Sequence, residues 1–319
     1  MGSRHPDLSH PADGHCAEIV HNRRPMTTWN ELVATGKPIV ADGAMGTVLM
    51  SNGLEFGDPP ELWNLEHPEI IRRVHRAYLA AGAQVLLTNT FGGSRLRLDL
   101  HGRADRVEQL NRTAAVLARV EADAADHPAI VAGDIGPSGQ IMQAIGGTLT
   151  PEQAREVFAE QARALAGAGV DVIWIETMSD ISEAVAAIHG AHDAAPKLPV
   201  IATMSFDTRG HTMMGVSPER AAEALLDAGA AAVGGNCGNG PEELTPVIDK
   251  MRAAFPDAIL VAKGNVGVPQ LVGLTVEYPT TPETMAGYAR TFRAAGANVI
   301  GACCGSTPPH LRAMAEALR

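Results

Sequence analysis

Two cysteines stand side by side in GACCGSTPPH, residues 301–310, of a chain whose other cysteines are Cys16 and Cys237. Four thiols in 319 residues do not make a disulfide framework, and a bond between neighbouring cysteines strains its own geometry. Clustered thiolates of this kind suit a metal. Zinc takes thiolate sulfur in tetrahedral array, and three protein ligands leave a fourth position open, the mark of a catalytic site. An incoming thiol would lose its proton there. Successive side chains of a strand point to opposite faces, so Cys303 and Cys304 share one ion only if the chain turns at once, which Gly305 permits. Read singly, Cys237 is better explained as a buried structural thiol, since free cysteine is among the most buried residue types. It is three cysteines at strand ends together that favour the metal, and Cys16 has no part in it.

The elements that must bring these residues together begin near residue 38, where short β-branched runs alternate with Ala-rich helical stretches. The runs are PIVAD (38–42), QVLLTN (84–89), AIVAGD (129–134), DVIWIE (171–176), PVIATMS (199–205), AAVGGN (231–236), AILVAK (258–263) and NVIGAC (298–303). Several helices open on Ser-Pro-Glu or Thr-Pro-Glu, a capping residue followed by proline and an early carboxylate. Nearly all-apolar strands each followed by a helix describe a parallel sheet, and eight of them predict a single (β/α)8 TIM barrel over residues 28–319. A doubly wound open sheet is the competitor, but no G-x-G-x-x-G follows the first strand. In a barrel the chemistry sits at the C-terminal ends of the strands. Those ends carry Asp42-Gly43-Ala44, Thr88-Asn89-Thr90, Asp134, Glu176, Asn236-Cys237 and Cys303-Cys304. Glu176 is costly to bury unpaired, which favours a ligand or partner for it; Asp42 serves equally as a turn residue. Asn89 and Asn236 suit backbone orientation, and Thr88 and Thr90 suit barrel filling. His310 reads as a helix-start residue.

Composition narrows the partners. A formal net charge of -11 without a basic stripe disfavours nucleic acid and anionic membrane. No run reaches the roughly 18–20 apolar residues of a membrane span. Residues 1–27, rich in His, Pro and Arg, lack an apolar signal core and read as a flexible tail, so the expected location is the cytoplasm. Homo-oligomer formation stays open.

The stretches DGAMGT (42–47), TNTFGG (88–93), GGNCG (234–238) and GACCGSTPPH (301–310) resemble, in order and spacing, the homocysteine S-methyltransferase family. Its members include betaine-homocysteine methyltransferases, S-methylmethionine-dependent enzymes and the homocysteine-binding module of cobalamin-dependent methionine synthase. The resemblance implies a zinc-dependent enzyme in which Cys237, Cys303 and Cys304 hold Zn²⁺, and homocysteine sulfur accepts a methyl group to give methionine. It further implies that Asp42 and Glu176 receive the amino acid's ammonium and the backbone at Gly43 and Ala44 its carboxylate, with Asn89 as an additional substrate-site candidate. Betaine-using relatives carry an aromatic residue after T-x-T-F where this chain has Gly92 and Gly93, with Phe56 and Trp63 supplying at most part of a cation cage. Small residues there resemble the methionine synthase module and leave room for a bulky donor. The cobalamin signature D-x-H-x-x-G is interrupted, Ala104 standing in the glycine position after Asp99 and His101, and those residues read as a helix end. The donor is therefore either a small onium compound or a separate methyl-corrinoid protein. The alternatives are a non-catalytic zinc- or partner-binding barrel, and an enzyme for another thiol or a selenol.

Overall fold

A computed structural model describes residues 27–319 apart from 268, 269, 273, 274 and 279. The expected tail, with Cys16, lies outside the described residues except for Thr27. The strands are β1 (Ile39–Val40), β2 (Val85–Leu87), β3 (Ile130–Ile135), β4 (Val172–Met178), β5 (Val200–Met204), β6 (Ala232–Cys237) and β7 (Leu260–Gly264). A hairpin of β8 (Gln270–Val272) and β9 (Thr275–Glu277) follows, and then β10 (Val299–Ala302). Eight of these form one parallel sheet in the order β1-β10-β7-β6-β5-β4-β3-β2. Its two ends meet: Ala41 bridges Val85 in parallel, Gln84 N–H donates to Val40 O at 2.7 Å and Asp42 N–H to Val85 O at 3.0 Å. The expected barrel is therefore present, and each anticipated run supplies one strand.

Helices cover the barrel and begin where the capping signals stand. The side chains of Thr150, Ser217 and Thr281 accept from the backbone N–H three residues on, with proline at the first helical position in each case. His310 is a helix-start residue, as its position after two prolines suggests. Thr307 N–H donates to its Nδ1 (3.2 Å) and its Nε2 lies 3.0 Å from Thr280 O, so Nε2 carries the proton. The structure adds elements that the strand and helix patterns do not announce, two of them notable. One is the helix Trp29–Ala34, opened by a reciprocal Thr28–Glu31 capping box; the other is the β8–β9 hairpin.

Strand parity divides the core. Ala132, Val172, Trp174, Val261 and Val299 fill the barrel interior, where buried Trp29 and Leu32 join them from the helix preceding β1. The alternate residues, such as Val131, Ile173, Ile175 and Ala262, pack outward against the helices. Because side chains alternate along a strand, the inward parity fixes the uppermost lumen layer: Asp134 follows Ala132, Glu176 follows Trp174, Lys263 follows Val261, and Cys303 continues the series Val299 and Gly301.

Candidate metal and substrate site

The lumen's top layer holds two clusters, one of sulfur and one of charge. Cys237 ends β6 with φ at 56°, the left-handed region, and Gly305 turns the chain after Cys304 with φ at 81°. Cys303 N–H donates to Gly264 O (2.9 Å) and Val266 N–H to Cys304 O (3.0 Å), fixing both residues against the end of β7. The anticipated immediate turn thus occurs, and the three sulfurs lie within 4.8 Å of one another. Cys237 Sγ and Cys303 Sγ are 2.7 Å apart. A tetrahedral zinc–thiolate site with bonds of about 2.3 Å places its sulfurs about 3.8 Å apart, so a shared ion would spread the Cys237–Cys303 pair by about 1 Å. These residues could hold a metal ion. Hydrogen bonds from Cys237 and Cys303 hold the Cys304 thiol far below the ordinary thiol range. The Cys237 thiol is pushed up by its bonds to the other two and by burial. Thiols this close share protons among themselves, and a metal ion would replace those protons.

Tyr278 and Asn236 frame the sulfurs. A Cβ at position 305 would come within 2.3 Å of the Tyr278 ring, so glycine is required there for space as well as for conformation. Burial, then the nearby thiols, push the Tyr278 phenol up. Asn236 Oδ1 accepts from Thr177 N–H (2.8 Å) and Thr203 Oγ1 (2.6 Å), and its amide donates to Thr177 Oγ1 (2.7 Å). Those bonds hold Thr177 at φ 63°, a conformation that costs a β-branched residue roughly 1–3 kcal/mol. The register of β4 against β5 shifts at this point. Asn236 is thus the orienting residue that its type suggested.

The charged cluster contains a residue that sequence reasoning missed. Lys263, buried at 2% exposure, sits with Nζ 3.4 Å from Asp42 Oδ1 and 3.5 Å from Glu176 Oε2. The ring of Trp174 lies 5.4 Å away. Asp42 Oδ2 also accepts from Leu87 N–H at 2.8 Å. Burial raises Asp42 to about 6, although Lys263 and the Leu87 bond oppose the rise. Glu176 is raised for the same reason, again against Lys263. Burial lowers Lys263, but Glu176, Asp42, Cys303 and Asp134 outweigh it and the net direction is upward. Asp42 and Glu176 are therefore brought together, and a built-in ammonium already lies between them.

Gly43 and Ala44 join this cluster differently. Ala44 N–H donates to Ser306 Oγ (2.8 Å) and Tyr78 OH donates to Ala44 O (2.7 Å), so both of Ala44's peptide groups are engaged in holding the turn. A Cβ at Gly43 would stand 2.6 Å from Ser306 Oγ and 2.8 Å from Tyr78 Cε1. Both neighbours are fully buried. Gly43→Ala is expected to cost about 1–3 kcal/mol through overpacking, measured as a lower urea midpoint with unchanged slope.

Three further positions are placed by the structure. Asn89 donates its amide to Pro60 O (2.7 Å) and Asn64 Oδ1 (3.2 Å), while Asn64 donates to Asn89 O (2.8 Å). With both amide hydrogens engaged, Asn89 pins the loop after β1, the backbone-orienting role its type suits. The small residues after β2 do not leave open room. Gly92 N–H donates to buried Glu61 Oε1 at 2.6 Å, and a Cβ at Gly93 would meet Asn111 Oδ1 at 2.7 Å and Gln161 Nε2 at 2.9 Å. Phe56 is 96% exposed whereas Trp63 is buried, its ring edge-on to His67 at 4.5 Å, so the two do not form a shared cage. Asp99 does end a short helix, Arg95–Asp99, as read. Among the described residues no helix is long and apolar enough to cross a membrane.

Residues 39–318 match the family described as homocysteine S-methyltransferase. The chain is 32% identical over 307 residues to a methionine synthase of Mycobacterium tuberculosis, covering 90% of this chain and 25% of that protein. It is 31% identical over 299 residues to a methionine synthase of Mycobacterium leprae, covering 88% and 24%. The chain thus spans about a quarter of the length of these relatives. The crystal structure of the homocysteine methyltransferase MmuM from Escherichia coli, in its metallated form, superposes with a TM-score of 0.74 at 25% identity, over 89% of this chain and 98% of that one. With the match running from β1 to the last helix and the cysteine cluster in place at the mouth of the barrel, the chain belongs to the homocysteine S-methyltransferase family.

Proposed function

We propose that residues 28–319 form a homocysteine-binding barrel that transfers a methyl group to homocysteine, giving methionine, with Zn²⁺ held by Cys237, Cys303 and Cys304. The observation that carries this reading is the meeting of thiols 66 residues apart in sequence, from β6 and β10, beside a buried carboxylate pair. Zinc bound there would act as a Lewis acid that lets the acceptor thiol lose its proton at neutral pH while staying nucleophilic. In the transfer, the sulfur lone pair forms the new S–C bond, and the donor's bond to the methyl carbon breaks with its electrons left on the donor.

The chain's own residues orient the acceptor. Asp42 and Glu176, in the uppermost lumen layer with Lys263 beside them, receive the ammonium, and the Gly43 amide faces the carboxylate. Fixing that end places the sulfur for in-line attack, the kind of positioning that lowers a displacement barrier most. The reduced thiol cluster suits a cytoplasmic setting. The donor is either a small onium compound reaching the barrel mouth directly or a separate methyl-corrinoid protein docking on it.

A donor panel tests this. Zinc-loaded protein is offered homocysteine with betaine, S-methylmethionine, S-adenosylmethionine, dimethylsulfoniopropionate or a methyl-corrinoid protein, and methionine is followed. Methionine from at least one donor is expected; none from any, with zinc still bound, would turn the reading to a non-catalytic barrel.

A further inference from the structure

One strained residue and one amide stand between the charged cluster and the sulfurs. Thr177 directly follows Glu176 and is held at φ 63°, a left-handed conformation that a β-branched residue takes only under constraint. Asn236, buried at 1% exposure, supplies that constraint. Its Oδ1 accepts from Thr177 N–H (2.8 Å) and Thr203 Oγ1 (2.6 Å). The amide's orientation is thereby fixed, because a flipped amide would set its own N–H against that of Thr177. Nδ2 then has two hydrogens and two destinations, Thr177 Oγ1 at 2.7 Å and Cys237 Sγ at 3.6 Å. Having accepted from the amide, the Thr177 hydroxyl still has its own hydrogen, and Cys237 Sγ lies 4.0 Å away. Among the described residues, Cys237 is the sulfur that polar side chains other than the thiols reach.

We propose that Asn236, aided by Thr177, is a positioning residue that lowers the nucleophilicity of the Cys237 sulfur, so that the methyl group goes to the acceptor and not to this cysteine. This rests on the proposed methyl-transfer site. A site that makes an acceptor sulfur nucleophilic holds protein sulfurs of the same chemistry beside it. Cys303 is buried, but Cys237 is partly exposed, and through Thr177 it adjoins Glu176 on the acceptor's side. In the unwanted reaction the Cys237 lone pair forms the S–C bond, and the donor's bond to the methyl carbon breaks with its electrons left on the donor. The thioether so formed would end turnover. A hydrogen bond to a charged acceptor is of the stronger kind and is lost as thiolate becomes thioether, so it slows that transfer by about tenfold.

The test is methylation of the protein itself by iodomethane, without acceptor; sulfur attacks carbon and iodide leaves. The zinc-loaded full chain is sampled over time, and peptide and fragment masses give a separate rate for Cys237, Cys303 and Cys304. Cys237 and Cys304 are both partly exposed, so access alone would give them similar rates, whereas the hydrogen bond makes Cys237 about tenfold slower. Asn236→Asp keeps the oxygen that Thr177 N–H and Thr203 Oγ1 bond to and removes the N–H at the sulfur. Matched for zinc content and melting temperature, it should bring Cys237 within about threefold of Cys304. Thr177→Ser, which keeps the hydroxyl, should leave the wild-type pattern. Equal rates at Cys237 and Cys304 in wild type overturn the inference, and that comparison stands even where N236D does not fold. N236D that leaves Cys237 as slow as before, or speeds all three cysteines together, overturns it too. Methionine formation from the donor panel is followed on the same wild-type sample. Methionine formed while Cys237 reacts as readily as Cys304 overturns this inference alone; Cys237 spared with no methionine from any donor overturns the methyl-transfer reading alone.

Discussion

Replacing Cys303 by serine is expected to strip zinc from the protein and to lower methyl transfer to homocysteine by at least about a thousandfold, without unfolding the barrel. The size of the effect follows from the ligand set. Cys303 Sγ lies 2.7 Å from Cys237 Sγ and within 4.8 Å of Cys304 Sγ, so its loss leaves only two of the three sulfurs. A serine hydroxyl does not ionise in this range and is a poor partner for a soft-leaning ion. Without the metal the acceptor thiol keeps its proton at neutral pH, and the thiolate is the nucleophile. The fold survives because the bonds that place residue 303 are backbone bonds, its N–H to Gly264 O and its carbonyl from Ser306 N–H. Metal content after dialysis, thermal melting and methionine formation are measured on the same sample. Stoichiometric zinc and full turnover in the variant would end the case for a three-cysteine site.

What could be read in advance and what could not divide along physical lines. Strands buried on both faces announce themselves as apolar runs, which is why every barrel strand was marked. The cysteines were found because thiols are rare and all three described ones sit at strand ends. Lys263 was not found, although AILVAK ends on it, because a run apolar at every position does not say which parity faces the lumen. Only closure of the barrel tells Val261 from Ala262. Asn89 was ambiguous for another reason: an amide suits a substrate and a loop carbonyl equally, and only the position of Pro60 decides. The glycines at 92 and 93 looked like empty space because the residues that fill it, Glu61, Asn111 and Gln161, come from distant elements. The Thr28–Glu31 capping box, by contrast, was a legible helix signal left unread.

Lys263→Met should reduce unfolding free energy by about 3–5 kcal/mol at pH 8, the cost of leaving buried charges without their partner, and by much less at pH 5. The pH dependence separates lost charge from lost packing. Asp42 has an ordinary value of 3.8 and stands at about 6 in the folded protein, so between those pH values the folded state binds more protons than the unfolded state. Stability therefore falls as pH rises through that window, by about 3 kcal/mol at 1.36 kcal/mol per unit. Wild type offsets this with Lys263, whose value is raised by Glu176, Asp42, Cys303 and Asp134 against its burial. A raised lysine contributes fully below its ordinary value of 10.5 and loses the contribution only at higher pH, so the offset is present throughout the neutral range. In the methionine variant the offset is gone, and Asp42 and Glu176 lose the charge that opposed their rise. Their window moves upward into neutral pH, and the deficit grows across it. Lys263→Arg, which keeps the charge in a wider head group, is expected to recover part of the loss at pH 8. Urea unfolding at pH 5, 7 and 8 reads the difference; equal deficits at all three would assign Lys263 a packing role and remove it from the electrostatics of the acceptor site.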